Sequence, residues 1–298
     1  MKNEKLVSAI ITTHNRKELF IKALNSIINQ TYKNIEILVV DDGSEDGTKE
    51  YMESNNFSNI KYLYIQKEKS RGGNYARNLG IKESKGDYIA FLDDDDEWNK
   101  EKIEKQVRYL EENPETGMVA CAREYEYNFK KRKKQKTKDI VEGNLKEKIF
   151  TMMPYTTSSI MIRRNILFEV GLFDESLRCW QDYELVIRIC QKTDIGVIKD
   201  YLLLYRVITS DKKRITNNFD IFEESVEIIE NKHKDLIMKL PEDIKKKHYA
   251  LIAKDGARRA ERINEKEITK KYLQIAFKNE PNLKNLIKFL LNKSKVRG

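Results

Sequence analysis

The sequence predicts an α/β protein with a mixed, mainly parallel central sheet and a helical appendage. Over its first 112 residues the chain alternates short, nearly continuous apolar runs with segments of helical periodicity, the pattern of βαβ units. From about residue 218 it reads as helix alone, rich in lysine and without glycine-rich segments. Three polar clusters, Thr12 to Arg16, Asp41 to Ser44 and Asp93 to Asp96, each fall just beyond the carboxyl end of a predicted strand. That is the edge where open parallel sheets bind ligands.

Each element follows from its residues. LVSAIIT (6–12) suits a strand buried on both faces. KELFIKALNSIIN (17–29) sets Leu19, Phe20, Ala23, Leu24, Ile27 and Ile28 at helical spacing. IEILVV (35–40) is a second strand, DDGSEDGT a turn, and Thr48 can open a short helix. IKYLYI (60–65) and DYIAFL (87–92) are the third and fourth strands, separated by a helix from Gly72 to Ser84 with Ala76, Leu79, Gly80 and Ile81 inward. Residues 99–112 are helical again. Beyond them MVACAREYEY (118–127) reads as a strand, FKKRKKQKTK (129–138) as a basic loop or solvated hairpin tip, TTSSIMIRR (156–164) as a strand leading into a helix, and WQDYELVIRIC (180–190) as a helix. Pro241 and Pro281 mark helix starts. The expected domains are 1–215 and 216–298.

The chain has 298 residues, 40% hydrophobic and 35% charged, enough for one large domain with an appendage. Its net charge of +9 suits anionic partners without choosing among them. Three cysteines (Cys121, Cys179, Cys190) without a CxxC pair argue against a disulfide framework, and Cys190 falls in an apolar stripe. No apolar run approaches the ~20 residues that span a bilayer. The expectation is a cytoplasmic protein, or one peripheral to the inner face of the cell membrane.

FLDDDDEW (91–98) poses the chemical question, because adjacent carboxylates repel by about 1 kcal/mol at 4 Å in water and more in a cleft. Either the run is a solvated turn or a cation sits on it. Asp93 and Asp95 make a D-x-D pattern that can converge on a hard divalent ion, Mn2+ or Mg2+, whose shell a diphosphate and water complete. Asp41 and Asp42 can organise an Asx turn or accept from a base N–H or ribose hydroxyls. His14 is structural, merely exposed, or stacks on a nucleobase. Asp182, in the first turn of its helix, is either a dipole-favoured aspartate or a general base. With three histidines in all, a His-based triad or a zinc site is not expected.

Taken together and in this order, VSAIITTHNR, SIINQTY, ILVVDDGSEDGT, GGNYARNLGI, GDYIAFLDDDDEW, SSIMIRR and GLFDESLRCWQDYELVIRI resemble glycosyltransferase family 2, of GT-A fold, over roughly residues 6–210. The resemblance implies a nucleotide-sugar-binding domain in which Thr12 and His14 line the nucleobase pocket and Asp42 holds the base, expected to be uracil. Arg77 would lie near the nucleotide or its phosphates and Asp94 near the ribose or sugar. Asp93 and Asp95 would face the metal, and Asp182 would be the catalytic base of an inverting transfer. The implied partners are a UDP-sugar donor and a saccharide or lipid-linked saccharide acceptor in surface polysaccharide synthesis. Ile208 stands where many relatives carry a histidine in a YRVH-like stretch, which puts any metal or diphosphate contact from that position in doubt; Lys212, Lys213 and Arg214 follow and are expected to close over the diphosphate.

Two other classes compete. A sugar nucleotidyltransferase would need a glycine-rich, basic loop after the first strand, and TTHNR runs directly into the first helix. A nucleic-acid-binding module fits the basic balance but not carboxylates gathered on one edge, so no nucleic acid is expected. LKNLIKFLLNK (283–293) is basic and amphipathic; it can rest on an anionic membrane, or pack on the domain or on a second subunit of a homodimer.

Overall fold

The computed structural model describes residues 4–55, 57, 59–136, 139, 141–208 and 218–295, with side chains as far as 290. The chain forms two compact units. The first comprises Met1–Leu145, Pro154–Glu175 and Arg188–Ser210; the second comprises Lys146–Met153, Ser176–Ile187 and Asp211–Gly298. Segments 146–153 and 176–187 thus group with the C-terminal helices rather than with the residues that flank them in sequence.

The first unit contains every described strand. Its first half is doubly wound: β1 (Val7–Thr13), α1 (Lys17–Ile28), β2 (Ile35–Asp41), α2 (Thr48–Ser54), β3 (Ile60–Tyr64), α3 (Gly73–Glu83) and β4 (Tyr88–Asp93). The continuous apolar runs become strands buried on both faces: Val7, Ala9, Ile11, Leu38, Val39 and Val40 are inaccessible. Helix α1 lays Phe20, Ala23, Leu24 and Ile27 into the core, each large side chain contributing about 1.5–3 kcal/mol, while Ile28 turns outward. Gly80 lets α3 lie directly on the sheet: a Cβ there would come within 2.6 Å of Ile10 Cγ2 and 3.2 Å of Val40 Cγ2.

The second half of the unit adds β5 (Glu97–Trp98), α4 (Lys102–Glu112), β6 (Thr116–Tyr127), β7 (Lys131–Lys134), β8 (Ile160–Arg163) and α5 (Arg164–Glu169). Helix α6 (Gln181–Cys190) and strand β9 (Asp194–Val207) follow. The sheet order is β3-β2-β1-β4-β8-β6-β9-β5, with β7 paired to β6. Pairs β1–β2, β1–β4, β2–β3 and β6–β9 are parallel; β8, β7 and β5 pair antiparallel. The mixed, mainly parallel sheet expected from sequence is present.

One reading is refined, and one strand is new. The basic loop is a strand in its central part: Lys131–Lys134 pairs with β6, setting Arg132 opposite Glu126 and Lys134 opposite Glu124, after a turn at Asn128 and Phe129, both at positive φ. Cross-strand opposite charges hold it. Strand β9 was not anticipated at all. All three cysteines are free and buried.

The second unit holds α7 (Phe219–Lys232), α8 (Lys234–Lys239), α9 (Glu242–Arg262), α10 (Lys266–Asn279) and α11 (Leu283–Lys295). Phe150, Trp180, Tyr183, Phe219 and Phe222 are buried there, and His248, fully buried, lies 3.0 Å by its Nδ1 from the Phe150 carbonyl oxygen. Pro241 caps α9, and Pro281 stands two residues before α11. No described helix is long and apolar enough to cross a membrane.

Candidate active site

Parallel pairing brings the three polar clusters to one edge. Thr12 is in register with Asp93, and Thr13 with Asp41, so β1, β2 and β4 end flush. Their loops are stitched side to side: the Asn15 N–H donates to Ser44 Oγ (2.9 Å) and the Glu45 N–H to Asn15 Oδ1 (2.8 Å). Gly43, at φ +76°, turns the second loop where a side chain would meet Lys67 Cα at 3.0 Å.

The aspartate run is sorted by the strand end from which it leaves. Asp94 and Asp96 are buried, whereas Asp93 and Asp95 remain partly open, their side chains 30% and 17% exposed. Asp94 accepts from Thr13 Oγ1 (3.0 Å) and the His14 N–H (3.3 Å), and Arg16 bridges Asp94 and Asp95 at 3.3 Å to each. Arg77, itself buried, holds Asp93 at 2.6 Å and donates to Asn74 Oδ1 at 3.3 Å, over the Phe173 ring. Burial and then the charge of Asp95 push the Asp94 carboxyl up to about 7, against the pull of Arg16. Burial, with Asp95 and Asp93 beside it, raises Asp96 well above the ordinary carboxylate range. The repulsion within the run is therefore relieved by guanidinium partners for the open pair and by protonation favoured in the buried pair.

Asp41 and Asp42 divide the two roles open to them. Asp41 accepts from the Ser44 N–H (2.8 Å) and from Tyr62 Oη (2.9 Å), which makes it the organiser of its turn. Asp42 accepts from the Gly72 N–H through Oδ2 (2.9 Å), and its Oδ1 is buried without a hydrogen-bond partner. An unpartnered buried acceptor costs about 1–3 kcal/mol, which a ligand N–H can recover. Exposed His14 sets its Nδ1 2.7 Å from the Asp42 carbonyl oxygen, fixing the ring beside that carboxylate. Thr12 is half-buried in the same row.

Sequence reasoning missed the brace beneath the run. Arg206, near the end of β9, donates through Nη1 to the Asp95 carbonyl (3.3 Å) and through Nε to Glu126 (3.0 Å), and it pairs with Glu97. Its backbone N–H donates to Asp96 Oδ1 (3.0 Å). Burial alone would raise Glu126, but hydrogen bonds from Arg206 and Arg132 outweigh it and hold the group below the usual range. The available signal was a lone arginine closing the apolar stretch YLLLYRV. Below the run, Trp98 donates its indole N–H to the Ser158 carbonyl (2.9 Å) and carries the fully buried Lys102 ammonium 4.1 Å over its ring.

Thr12, His14, Asp42, Arg77, Asp93, Asp94 and Asp95 all belong to the first unit; the bonds above join His14 to Asp42 and Asp94, and Arg16 joins Asp94 to Asp95, while Arg77 and Asp93 form a separate pair and Thr12 is tied to Asp93 by register. Asp182 belongs to the second unit, in the first turn of α6, where its Oδ1 accepts from the Tyr183 N–H at 2.8 Å. Trp180, at φ +57°, precedes that helix and donates to Asp255 (3.1 Å), which Arg259 also holds (2.8 Å). Lys212, Lys213 and Arg214 lie outside the described residues. No three His, Cys, Asp or Glu side chains form a metal cluster among the described residues. No glycine interrupts the passage from β1 to α1, so the loop a nucleotidyltransferase would need is absent between them.

Comparison with known proteins places these features in a family. The family model for glycosyl transferase family 2 matches residues 8–177. An uncharacterised glycosyltransferase of Rickettsia conorii is 36% identical over 208 residues, covering 69% of this chain and 33% of that protein. The chain thus spans about a third of the length of that relative. The Escherichia coli UDP-Glc:alpha-D-GlcNAc-diphosphoundecaprenol beta-1,3-glucosyltransferase WfaP is 41% identical over 106 residues, covering 36% of this chain and 41% of its own. Among solved structures, Staphylococcus aureus TarS 1-349 in complex with UDP-GlcNAc superposes with a TM-score of 0.61 at 17% identity, over 96% of this chain and 79% of that one. The mannosyltransferase PcManGT of Pyrobaculum calidifontis, in complex with GDP-Man and Mn2+, gives 0.55 at 16% identity, over 98% and 89%. With a family match over more than half its length and the GT-A architecture around a paired-carboxylate edge, this chain belongs to glycosyltransferase family 2.

Proposed function

We propose that the chain is a metal-assisted, inverting glycosyltransferase that moves a sugar from a UDP-sugar to a hydroxyl of a saccharide or lipid-linked saccharide in surface polysaccharide synthesis. The observation that carries this is the sorting of FLDDDDEW into a buried pair and a partly open pair at the carboxyl edge of β4, beside the unpartnered Asp42 oxygen. The UDP and lipid-diphosphate chemistry named for the E. coli relative, and the UDP-GlcNAc bound by the S. aureus neighbour, support the donor and acceptor classes. The Mn2+ of the Pyrobaculum neighbour supports the ion class.

The residues present fit a hard divalent ion. Asp93 and Asp95 offer carboxylate oxygens only, and Mg2+ or Mn2+ takes one or two such groups when a diphosphate and water complete its shell. When bound it would supply charge neutralisation to the departing diphosphate. This chain's own residues do the rest. Asp42 accepts from the uracil N–H while His14 stacks beside it, Thr12 lines the pocket, and Asp94 faces the ribose or sugar. Arg77 fixes Asp93 and lends positive charge near the phosphates. Asp182 takes the proton of the acceptor hydroxyl as its oxygen forms the new bond at the anomeric carbon and the bond to UDP breaks. A single displacement inverts the configuration, so an α-linked donor gives a β-glycoside.

Isothermal titration of UDP with and without Mn2+ tests the site. Binding should strengthen with Mn2+ in the wild type and lose that enhancement in Asp95→Ala; an enhancement that survives the substitution removes Asp95 from the metal. Asp182→Asn should keep UDP affinity and lose transfer by a factor of about 10² or more, the usual worth of a general base. Transfer at the wild-type rate would refute its role.

A further inference from the structure

Between α9, the α10–α11 corner and α11 the second unit carries an open-sided cavity of about 340 Å3 whose lining includes four cations, Lys254, Arg258, Lys284 and Lys288, and one carboxylate, Glu280. Lys254 pairs with Glu280, and Arg258 with Asp255 at 2.8 Å. Lys284 and Lys288 have no carboxylate within 4 Å among the described residues. The corner is built: buried Asn285 donates its side-chain N–H to the Glu280 carbonyl (2.8 Å), and its backbone N–H donates to Asn282 Oδ1 (2.9 Å). Burial, followed by the charges of Lys284 and Arg258, lowers the Lys288 ammonium from its ordinary value; Glu261 pulls the other way without outweighing them.

The same helix carries an apolar row that is exposed among the described residues. Leu283, Ile287 and Leu290 are 71%, 46% and 51% exposed. At about 100° per residue they fall within an arc of about 60°. Asn285 lies opposite that arc, and Phe289, stacked on Phe277 of α10, is turned away from it. Lys284 and Lys288 follow on one flank, about 60° and 100° round the helix from Ile287, between the apolar row and the buried Asn285. The helix therefore offers apolar side chains outward and, parallel to them, a cationic groove.

We propose that this face of α11 docks on an anionic lipid bilayer, with Leu283, Ile287 and Leu290 in the interface and a lipid phosphate in the cavity formed by Lys254, Arg258, Lys284 and Lys288. A row of apolar residues flanked along its length by lysines matches a planar boundary between acyl chains and phosphates. A second copy is the poorer occupant. In a two-fold dimer this patch would face itself and set four cations against four. The proposal goes beyond the transfer reaction and does not depend on which sugar is moved.

Vesicle flotation of the full chain, without nucleotide, tests it. Vesicles of phosphatidylcholine with phosphatidylglycerol should carry the protein, and added salt should release it; phosphatidylcholine alone should not carry it. Lys284→Ala with Lys288→Ala should weaken partition about 30-fold, at about one kcal/mol per lysine. Leu283→Ser, Ile287→Ser and Leu290→Ser together should weaken it at least tenfold. Both variants should keep the wild-type circular dichroism and UDP affinity. Equal flotation on neutral vesicles, or unchanged partition of both variants, would overturn the proposal. So would inorganic phosphate binding that depends on Lys284 and Lys288 without any flotation, which would make the cavity a free-phosphate site. A dimer dissolved by the serine variant with flotation unaltered would assign the face to a second copy instead.

Discussion

Replacing Asp42 by Asn tests the nucleobase reading at a single atom. The substitution retains an oxygen for the Gly72 N–H, bonded at 2.9 Å, and turns the buried, unpartnered Oδ1 into a donor. A uracil N–H that had donated to a carboxylate would then face another donor. Hydrogen bonds to charged groups contribute about 1.5–3 kcal/mol, so UDP affinity should fall about 10- to 150-fold. The ligand-free protein should behave differently. It exchanges one unpartnered buried polar atom for another, so its melting temperature should change little. Titration of UDP at saturating Mn2+, paired with a thermal melt of the free protein, reads both quantities. Unchanged UDP affinity would show that Asp42 does not meet the base. Lost affinity accompanied by a melting temperature several degrees lower would make Asp42 a structural residue of its loop.

The remaining predictions concern the layer under the site. Lys102 is fully buried and its pKa is lowered to about 8, chiefly by desolvation. Its folded value lies below the unfolded one, so the unfolded chain holds more protons between about pH 8 and 10.5 and stability rises with pH across that window. At pH 7 the buried charge costs about 3 kcal/mol, and Lys102→Met should stabilise by about that much in urea titrations. By about pH 9.5 the gain should have shrunk by about 2 kcal/mol; the same gain at both values would mean that Lys102 is not charged in the folded protein at pH 7. Arg206→Gln should destabilise by about 1.5–3 kcal/mol, since Glu97 loses its guanidinium partner and Glu126 keeps only Arg132. Arg206→Lys should preserve the fold and UDP affinity without metal yet raise the Mn2+ concentration needed for half-activation about tenfold, a loss of the order of one hydrogen bond to a charged group. An unaltered Mn2+ requirement would show that the Asp95 carbonyl needs no brace.

What could be read from the residues and what could not separate along physical lines. Strands β1, β2 and β4 were legible because burial on both faces leaves unbroken apolar runs, and their shared edge followed from the polar residues that end them. Strand β9 was not, because its pairing with β6 is irregular: Cys121 opposes Ile198 and Ala122 opposes Tyr201, so Lys199 and Asp200 bulge outward and break the alternation. The strand at Lys131–Lys134 was hidden for another reason. Four consecutive basic residues carry no strand signature of their own and depend on Glu124 and Glu126 across the hairpin. In the site, Asp93 to Asp95 were evident from their run, whereas their arginine partners come from three places in the chain, residues 16, 77 and 206, and only packing unites them.

The span between the acidic turn and its brace has a consequence for how the protein is made. Asp95 and Arg206 are 111 residues apart, and Asp96 waits 110 residues for the Arg206 N–H. Contacts of such sequence separation form late, after loop-closure entropy has been met by nearer pairings. On the ribosome the β1–β4 layer can assemble while the turn remains unbraced, and the turn locks only when the chain beyond residue 206 has left the exit tunnel. A nascent or truncated chain ending before β9 would carry every aspartate of the candidate site, with Arg16 and Arg77 to pair them, and lack the Arg206 brace, so that the acidic turn is completed only when β9 joins the sheet.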